Sequence, residues 1–435
     1  MRLSNSNECP DAGTERKNLC VMPWINLHVT TDGTIAPCCE FDGDIGKLSD
    51  TTLIEAWQGD ELREIRRKFA DAETVSGCWK CFDREASEGH SMRLDKNRKF
   101  SHWHETLLHD ADLMNAGPAH AVTMDLRFSN LCNFKCRSCW HGASSKWFTD
   151  GKAIGVTAGR KAEIRSFDSL DEVVRQIGPG MDDLEEIYFA GGEPLIMEEH
   201  YALLRLLHDR GQTHIKLAYN TNLSVTRFAG QSIFDLWAKF DNVNVSASID
   251  AAGAKGSYVR SGFEWPTYVK NVHELRTKCP HAELSFGITV SSLNILILPE
   301  LLRALTEECG ATPSAFLLHS LQEPPHYRTQ VLPARFKKRA TRQIDDYIAE
   351  LIGESEPGEE LDGFIAAVRG ITDYMNANDL SDKLPELKSI TDQLDSLRSE
   401  NIGDVLPELA PALESVSVWR KPWLALRQRL GYAMR

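Results

Sequence analysis

Between residues 121 and 320 the sequence alternates short apolar runs with longer amphipathic ones, and this alternation restricts the fold more than any other feature. The runs expected as strands are Ala121–Phe128, Glu186–Ala190, Ile215–Tyr219, Val243–Ser248, Leu284–Val290 and Ala315–His319. Between them lie helical patterns at Leu170–Ile177, Glu198–Arg210, Ile233–Phe240, Thr267–Thr277 and Leu298–Cys309. Ser169 and Glu172 read as a capping-box start for the first helix. Strands joined by crossover helices pair in parallel, with right-handed connections. The class is therefore α/β, a sheet that is open or curled into a partial (β/α)6 TIM-like barrel.

Two different textures flank this region. Residues 20–85 read as a compact cysteine-bearing unit. Trp24–Thr30 alternates, Asp32-Gly33 signals a turn and Thr34–Pro37 returns, which predicts a hairpin. One helix is expected over Thr52–Phe69, with Leu53, Ala56, Trp57, Leu62 and Ile65 on one face. Residues 86–120 are rich in His, Lys and Arg and show no clear period. After 330 the strand pattern stops, and 335–430 reads as helices separated by turns at Gly353, Pro357, Gly363 and Pro385. The expected organisation is 1–90, a cysteine-rich domain; 91–120, a connector; 121–330, the barrel; and 331–435, a helical C-terminal region.

Charge and hydropathy narrow the function. A net charge of −14 argues against a general nucleic-acid binder. No apolar run approaches bilayer length, and the N-terminus lacks the apolar core of a secretory signal. The expected compartment is the cytoplasm. The basic stretches Arg93–Lys99 and Arg420–Arg435 read as solvated faces, and Trp419 and Trp423 as helix packing.

Nine of the eleven cysteines fall before residue 140, in close spacings that in a reducing compartment indicate metal or redox chemistry. Cys132, Cys136 and Cys139 form C-x3-C-x2-C directly after the first barrel strand, where such folds carry chemistry. Three thiolates hold three corners of a cubane cluster and leave one iron open to a small molecule. The alternative is a zinc knuckle with His141 as fourth ligand. The second strand ends in Gly191-Gly192-Glu193-Pro194, where glycines permit close backbone approach to a ligand. Thr221, Asn222 and Ser248 end the next two strands with short polar groups. Cys20, Cys38, Cys39, Cys78 and Cys81 can supply four thiolates to a second metal, iron–sulfur or zinc. Adjacent residues on a strand face opposite ways, so Cys38 is taken as ligand and Cys39 as spare. Cys9 has no partner at a useful spacing.

The cysteine loop and the Gly-Gly-Glu-Pro turn together resemble the radical S-adenosylmethionine (radical SAM) superfamily. The resemblance implies that Cys132, Cys136 and Cys139 hold a 4Fe–4S cluster whose open iron binds the amino and carboxylate groups of SAM. Gly191, Gly192 and Glu193 then hold the SAM amino group. Thr221, Asn222 and Ser248 meet its carboxylate or ribose, Asp250 is the acidic residue that commonly follows, and Arg260 pairs with a carboxylate. The family usually has an aromatic residue before the last cysteine; here it is Ser138, with Trp140 after. The N-terminal pattern C-x2-P-W, D-G-x3-P-C-C and C-x2-C resembles the twitch half of a SPASM domain, which implies an auxiliary 4Fe–4S cluster on Cys20, Cys38, Cys78 and Cys81.

Such relatives draw electrons from a reductant such as flavodoxin or ferredoxin and act on peptides, protein side chains or sugar-like alcohols. A peptide is the expected substrate, since the connector and C-terminal helices are large enough to cover the barrel mouth. A sugar or other small metabolite is the alternative; a zinc scaffold and a pure electron carrier are readings of other classes. Cys39, Cys279 and Cys309 are the spare thiols that would donate a hydrogen atom in an epimerisation.

Overall fold

The computed structural model describes residues 17–88, 91–157, 159–354 and 357–416. Cys9 and the basic tail from Arg420, with Trp419 and Trp423, lie outside the described residues. The chain divides into two compact units. One comprises Met1–His28 and Ile35–Val122, the other Val29–Thr34 and Thr123–Arg435. Among the described residues no helix is long and apolar enough to cross a membrane.

The predicted hairpin forms as β1 (Asn26–Val29) and β2 (Thr34–Ala36), with Gly33 at φ +81° in its turn. The single helix expected over 52–69 is two. Thr52 caps α1 (Leu53–Trp57) through a full capping box with Glu55. Gly59 then adopts an extended conformation and starts α2 (Asp60–Ala70). Glycine gains least from helix and most easily leaves it, so the break falls there. The Arg66 guanidinium of α2 is buried, 4.3 Å from the Trp57 ring centroid.

The connector without visible period is also helical. After α3 (Trp79–Glu88) come α4 (Met92–Lys99), α5 (Ser101–His109) and α6 (Ala111–Ala116). These helices are too short for periodicity to show. Side-chain anchors hold them instead. Ser91 caps α4 and Asp110 caps α6. Trp24 Nε1 donates to the Met114 carbonyl at 3.0 Å. Arg93 does not belong to a solvated face. It is buried, pairs with Glu85 and donates to the Leu19 carbonyl at 2.7 Å.

In the larger unit the six predicted strands appear as β3 (Thr123–Leu126), β4 (Glu186–Phe189), β5 (Lys216–Thr221), β6 (Val243–Ser248), β7 (Glu283–Val290) and β8 (Phe316–Ser320). They pair in parallel in sequence order, β3 to β8. This is the partial (β/α)6 barrel, wound in one direction. The helices are α7 (Trp147–Ala153), α8 (Leu170–Ile177), α9 (Glu198–Asp209), α10 (Ile233–Trp237), α11 (Gly253–Val259), α12 (Trp265–Lys278) and α13 (Leu298–Cys309). The capping box of α8 is shifted: Glu172 N–H donates to Ser169 Oγ, but the Glu172 carboxylate accepts from Asp168 N–H, one residue before the cap.

Alternation along the strands sorts chemistry from core. On β6, Val243, Val245 and Ala247 are buried against the helices, while Asn244, Ser246 and Ser248 lie half-exposed on the other face. Beyond β8 the chain is helical, in α14 (Ala334–Glu354), α15 (Glu359–Ala377), α16 (Leu384–Arg398) and α17 (Ile402–Val405), but Gly363, expected in a turn, lies inside α15. Phe364 of α15 meets Phe316 of β8 at 5.3 Å between ring centroids.

Candidate functional site

The first strand ends in a loop shaped by its polar residues. Asn130 is fully buried and ties two backbone segments to the loop. Its amide donates to the carbonyls of His141 (2.7 Å) and Ala162 (3.0 Å), and its carbonyl accepts from Ile164 N–H (2.8 Å). Between these anchors run Cys132, Cys136 and Cys139. Cys139 N–H donates to the Cys136 carbonyl at 3.1 Å, which folds the last two cysteines into one turn. Trp147 Nε1 donates to the same carbonyl at 2.6 Å. Cys136 also pairs with Arg260 in a short antiparallel ladder, and so the backbone itself sets Arg260 beside the thiol.

The Gly-Gly-Glu turn docks onto this loop. Gly192 N–H donates to the Ser129 carbonyl (3.0 Å) and Glu193 N–H to the Leu131 carbonyl (2.7 Å). A Cβ on Gly192 would stand 2.0 Å from the Leu131 oxygen. Gly191, at φ +108°, would place one 3.0 Å from Arg127 Cβ. The glycines thus serve first to let the turn reach the cysteine loop, a different close approach from the ligand contact that the sequence suggested. Glu193 is 1% exposed. It accepts from Leu195 N–H (3.0 Å), Thr221 Oγ1 (2.7 Å) and Asn222 N–H (2.7 Å). Burial nevertheless raises its carboxyl above the usual range, against those hydrogen bonds.

A cavity of ≈ 280 Å³ opens where these elements meet. Cys132, Cys136, Cys139, Gly191, Gly192, Glu193, Thr221, Asn222, Ser248 and Arg260 all line it. Arg260 is held by Asp250, Nε to Oδ2 at 2.8 Å, and Asp250 also accepts from Thr289 N–H at 3.0 Å. Sequence reasoning missed Arg127, Phe134, Tyr188 and Asn220, which share the lining. Tyr188 and Asn220 occupy the strand face opposite the core, a position that period-2 alternation would have given. An aromatic ring does reach the pocket from the cysteine loop. It is Phe134; Trp140 is about half exposed and absent from the lining.

Burial pushes all three thiols up: Cys132 and Cys136 rise, and Cys139 goes to about 12, with the neighbouring Cys136 adding to the effect. Three half-buried thiols that resist ionisation need a cation to become thiolates. In the smaller unit, burial likewise moves Cys20 and Cys78 to about 12 and raises Cys38 and Cys81. Cys20 lies in the field of Cys78 and Cys81, and Cys38 in that of Cys39 first and then of Cys20 and Cys78. Cys39 is exposed, its Sγ 3.7 Å from Met92 Sδ. Among the described residues no three His, Cys, Asp or Glu side chains meet as a ligand set for a single metal ion. Cys279 and Cys309 do not reach the pocket. Both are buried in the helical layer, and Cys279 Sγ donates to the Phe234 carbonyl.

The family model of the radical SAM superfamily matches residues 126–310, and that of an iron–sulfur cluster-binding domain, SPASM, matches residues 20–82. Residues 126–310 are a radical SAM domain. The chain's cofactors are a 4Fe–4S cluster with SAM and, for the N-terminal domain, an auxiliary iron–sulfur cluster. Among solved structures, native anSMEcpe with bound AdoMet is similar at 15% identity and TM-score 0.36, covering 54% of this chain and 62% of that one. Streptococcus suis SuiB bound to S-adenosylmethionine is similar at 14% identity and TM-score 0.37, covering 67% and 64%. SuiB bound to precursor peptide SuiA is similar at 14% identity and TM-score 0.36, covering 64% and 61%. The match spans less than two thirds of each of those chains. No curated protein matches the chain.

The residues of this radical SAM domain fit the cofactors. Three soft ligands face one cavity, with a guanidinium and an array of backbone and hydroxyl groups beside them. Thiolate donors suit iron–sulfur clusters.

Proposed function

We propose that this chain cleaves SAM reductively and takes a hydrogen atom from a peptide. The observation that carries the reading is the meeting of Cys132, Cys136, Cys139, Glu193 and Arg260 around one cavity at the strand ends. Bound there, the cluster and SAM would supply the 5′-deoxyadenosyl radical. The chain's own work is to orient and to exclude water. Cys132, Cys136 and Cys139 would hold the cluster as thiolates, with one iron remaining for the ligand. Arg260, held by Asp250, presents a fixed cation to a carboxylate. Thr221, Asn222 and Ser248 give short polar contacts, and Phe134, Ala143 and Ala190 give a dry wall.

Arg127, which pairs with Asp125, and Tyr188 and Asn220 line the same cavity and would meet the substrate. Their donors and acceptors suit the amides and carboxylates of a peptide, and we take a peptide over a sugar. The four thiols Cys20, Cys38, Cys78 and Cys81 would ligate all corners of the auxiliary cluster, which then relays an electron or supports the domain. Cys279 and Cys309, buried away from the cavity, are set aside as hydrogen donors; Cys39 is the spare thiol that remains.

The test is anaerobic reconstitution, reduction by flavodoxin or dithionite, and measurement of 5′-deoxyadenosine. The wild-type chain is expected to form it slowly without substrate, and the triple Cys132→Ala, Cys136→Ala, Cys139→Ala variant none. Zinc without iron, or equal product from both proteins, overturns the reading. With a peptide substrate in deuterated water, one deuterium in the product supports a thiol donor. A product oxidised by two electrons, without deuterium, excludes it.

A further inference from the structure

The C-terminal helices α16 and α17 lie outside both matched segments, yet α16 lies against the cysteine loop. Leu394 is fully buried with Trp147 and Ile154, and Cys139 packs on that same cluster. Around this contact runs a chain of ion pairs. Arg137, between two of the cysteines, has a fully buried side chain. It pairs with Asp395 and Glu400, its Nε donates to the Tyr258 carbonyl at 3.0 Å, and its guanidinium carbon sits 3.6 Å from the Tyr258 ring centroid. Asp395 further accepts from Tyr258 OH and Ile402 N–H, each at 2.8 Å. On the other side of the loop, Arg398 Nε donates to Asp150 at 2.8 Å, and Lys135 pairs with the same carboxylate at 3.0 Å.

Both guanidiniums in this network keep unsatisfied nitrogens: Arg137 Nη1 lacks a partner, and Arg398 lacks more. The Arg398 side chain is 2% exposed, and its Nη1 and Nη2 have no hydrogen-bond partner. An orphaned buried guanidinium is costly. Here it stands over Trp147, 5.5 Å from the ring centroid, and Trp147 Nε1 bonds the Cys136 carbonyl.

We propose that α16 and α17 are a positioning element for the cluster: Asp395 and Glu400 fix Arg137 and with it the turn from Cys136 to Cys139, while Arg398 keeps a buried positive charge beside Trp147, whose Nε1 holds the Cys136 carbonyl. The inference rests on the assignment of Cys132, Cys136 and Cys139 as cluster ligands. Lys135, Arg137 and Arg398 balance Asp150, Asp395 and Glu400, so loss of one guanidinium leaves net negative charge next to the thiolates. Adding an electron to the cluster then becomes harder.

The test uses the full-length, reconstituted protein. The SAM-binding cluster is identified as the one whose electron paramagnetic resonance signal changes when SAM is added. In Arg398→Gln, which leaves Asp150 its Lys135 partner, iron content should stay and the midpoint potential of that cluster should shift to more negative values. Arg398→Lys should restore part of the shift. In Asp395→Asn, a chelator should strip that cluster at least about tenfold faster, because a buried cation has lost a partner, while the auxiliary cluster is unaffected. A folded Arg398→Gln with wild-type potential and signal, or an Asp395→Asn with wild-type stripping rate, overturns the proposal. If wild-type protein shows no SAM-responsive cluster, it is the assignment of the three cysteines that fails.

Discussion

The Glu193→Ala change isolates what the Gly-Gly-Glu turn does. Its carboxylate accepts three hydrogen bonds at 2.7–3.0 Å, from Leu195 N–H, Thr221 Oγ1 and Asn222 N–H. Alanine orphans two buried backbone donors and one hydroxyl. Each orphan costs about 1–3 kcal/mol, and water entering the vacated space recovers part of that. A net loss of about 3 kcal/mol is expected, which for a chain of this size lowers Tm by about 3–5 °C. The two bonds between turn and cysteine loop are made by the backbone of Gly192 and Glu193, and the substitution leaves them in place. Iron content should therefore stay at the wild-type level while SAM affinity falls. The assays are thermal unfolding of the reconstituted protein, iron quantitation and equilibrium dialysis with SAM. Wild-type Tm and wild-type affinity together would refute the network. Loss of iron would show that the side chain, and not the backbone bonds, holds turn and loop together.

Replacing Cys132, Cys136 and Cys139 together by Ala should remove one cluster and leave the auxiliary iron, read by iron per chain and the visible spectrum. Arg93→Ala should do the reverse: it removes a buried cation that pairs with Glu85 and anchors the Leu19 carbonyl next to Cys20, a loss of about 3–5 kcal/mol concentrated in the smaller unit. Auxiliary iron should be lost while SAM-responsive signal persists. His200 is buried against Tyr219 and burial lowers its pKa to about 3. The unfolded chain therefore binds the proton more readily, and stability is lost as pH falls below about 6.5, with a slope reaching about 1.4 kcal/mol per pH unit. His200→Gln should flatten Tm against pH between about 6.5 and 4 relative to wild type; parallel curves would contradict the burial of an uncharged ring.

Much of this was legible because it is local. Val243–Ser248 reads as a strand from six residues, and the structure returns the same bounds. The cysteine spacing and the Gly-Gly-Glu turn name their chemistry within a few positions. What stayed hidden depends on distance or on single side chains. Arg137 and Asp395 are separated by 258 positions, so no window along the sequence contains both. The connector helices are too short to show a period and are held by Arg93, Ser91 and Asp110. Asn130 looks like any loop asparagine until its three backbone partners are seen. Gly59, inside an apolar period, breaks a helix that the hydrophobic pattern would have continued.

The short ladder that pairs Cys136 with Arg260 and Lys135 with Ser261 has a consequence for engineering. Two backbone segments 124 positions apart in the chain set the spacing of Cys136 and Arg260 by pairing, and Asp250 then fixes the guanidinium. The cysteine loop is therefore not a portable cassette. Transplanted alone onto another barrel, it would carry its three ligands but lose the ruler that spaces them from the cation. A transplant that keeps the geometry has to bring residues 258–262 along with 130–147, two strips of sequence that function as one template.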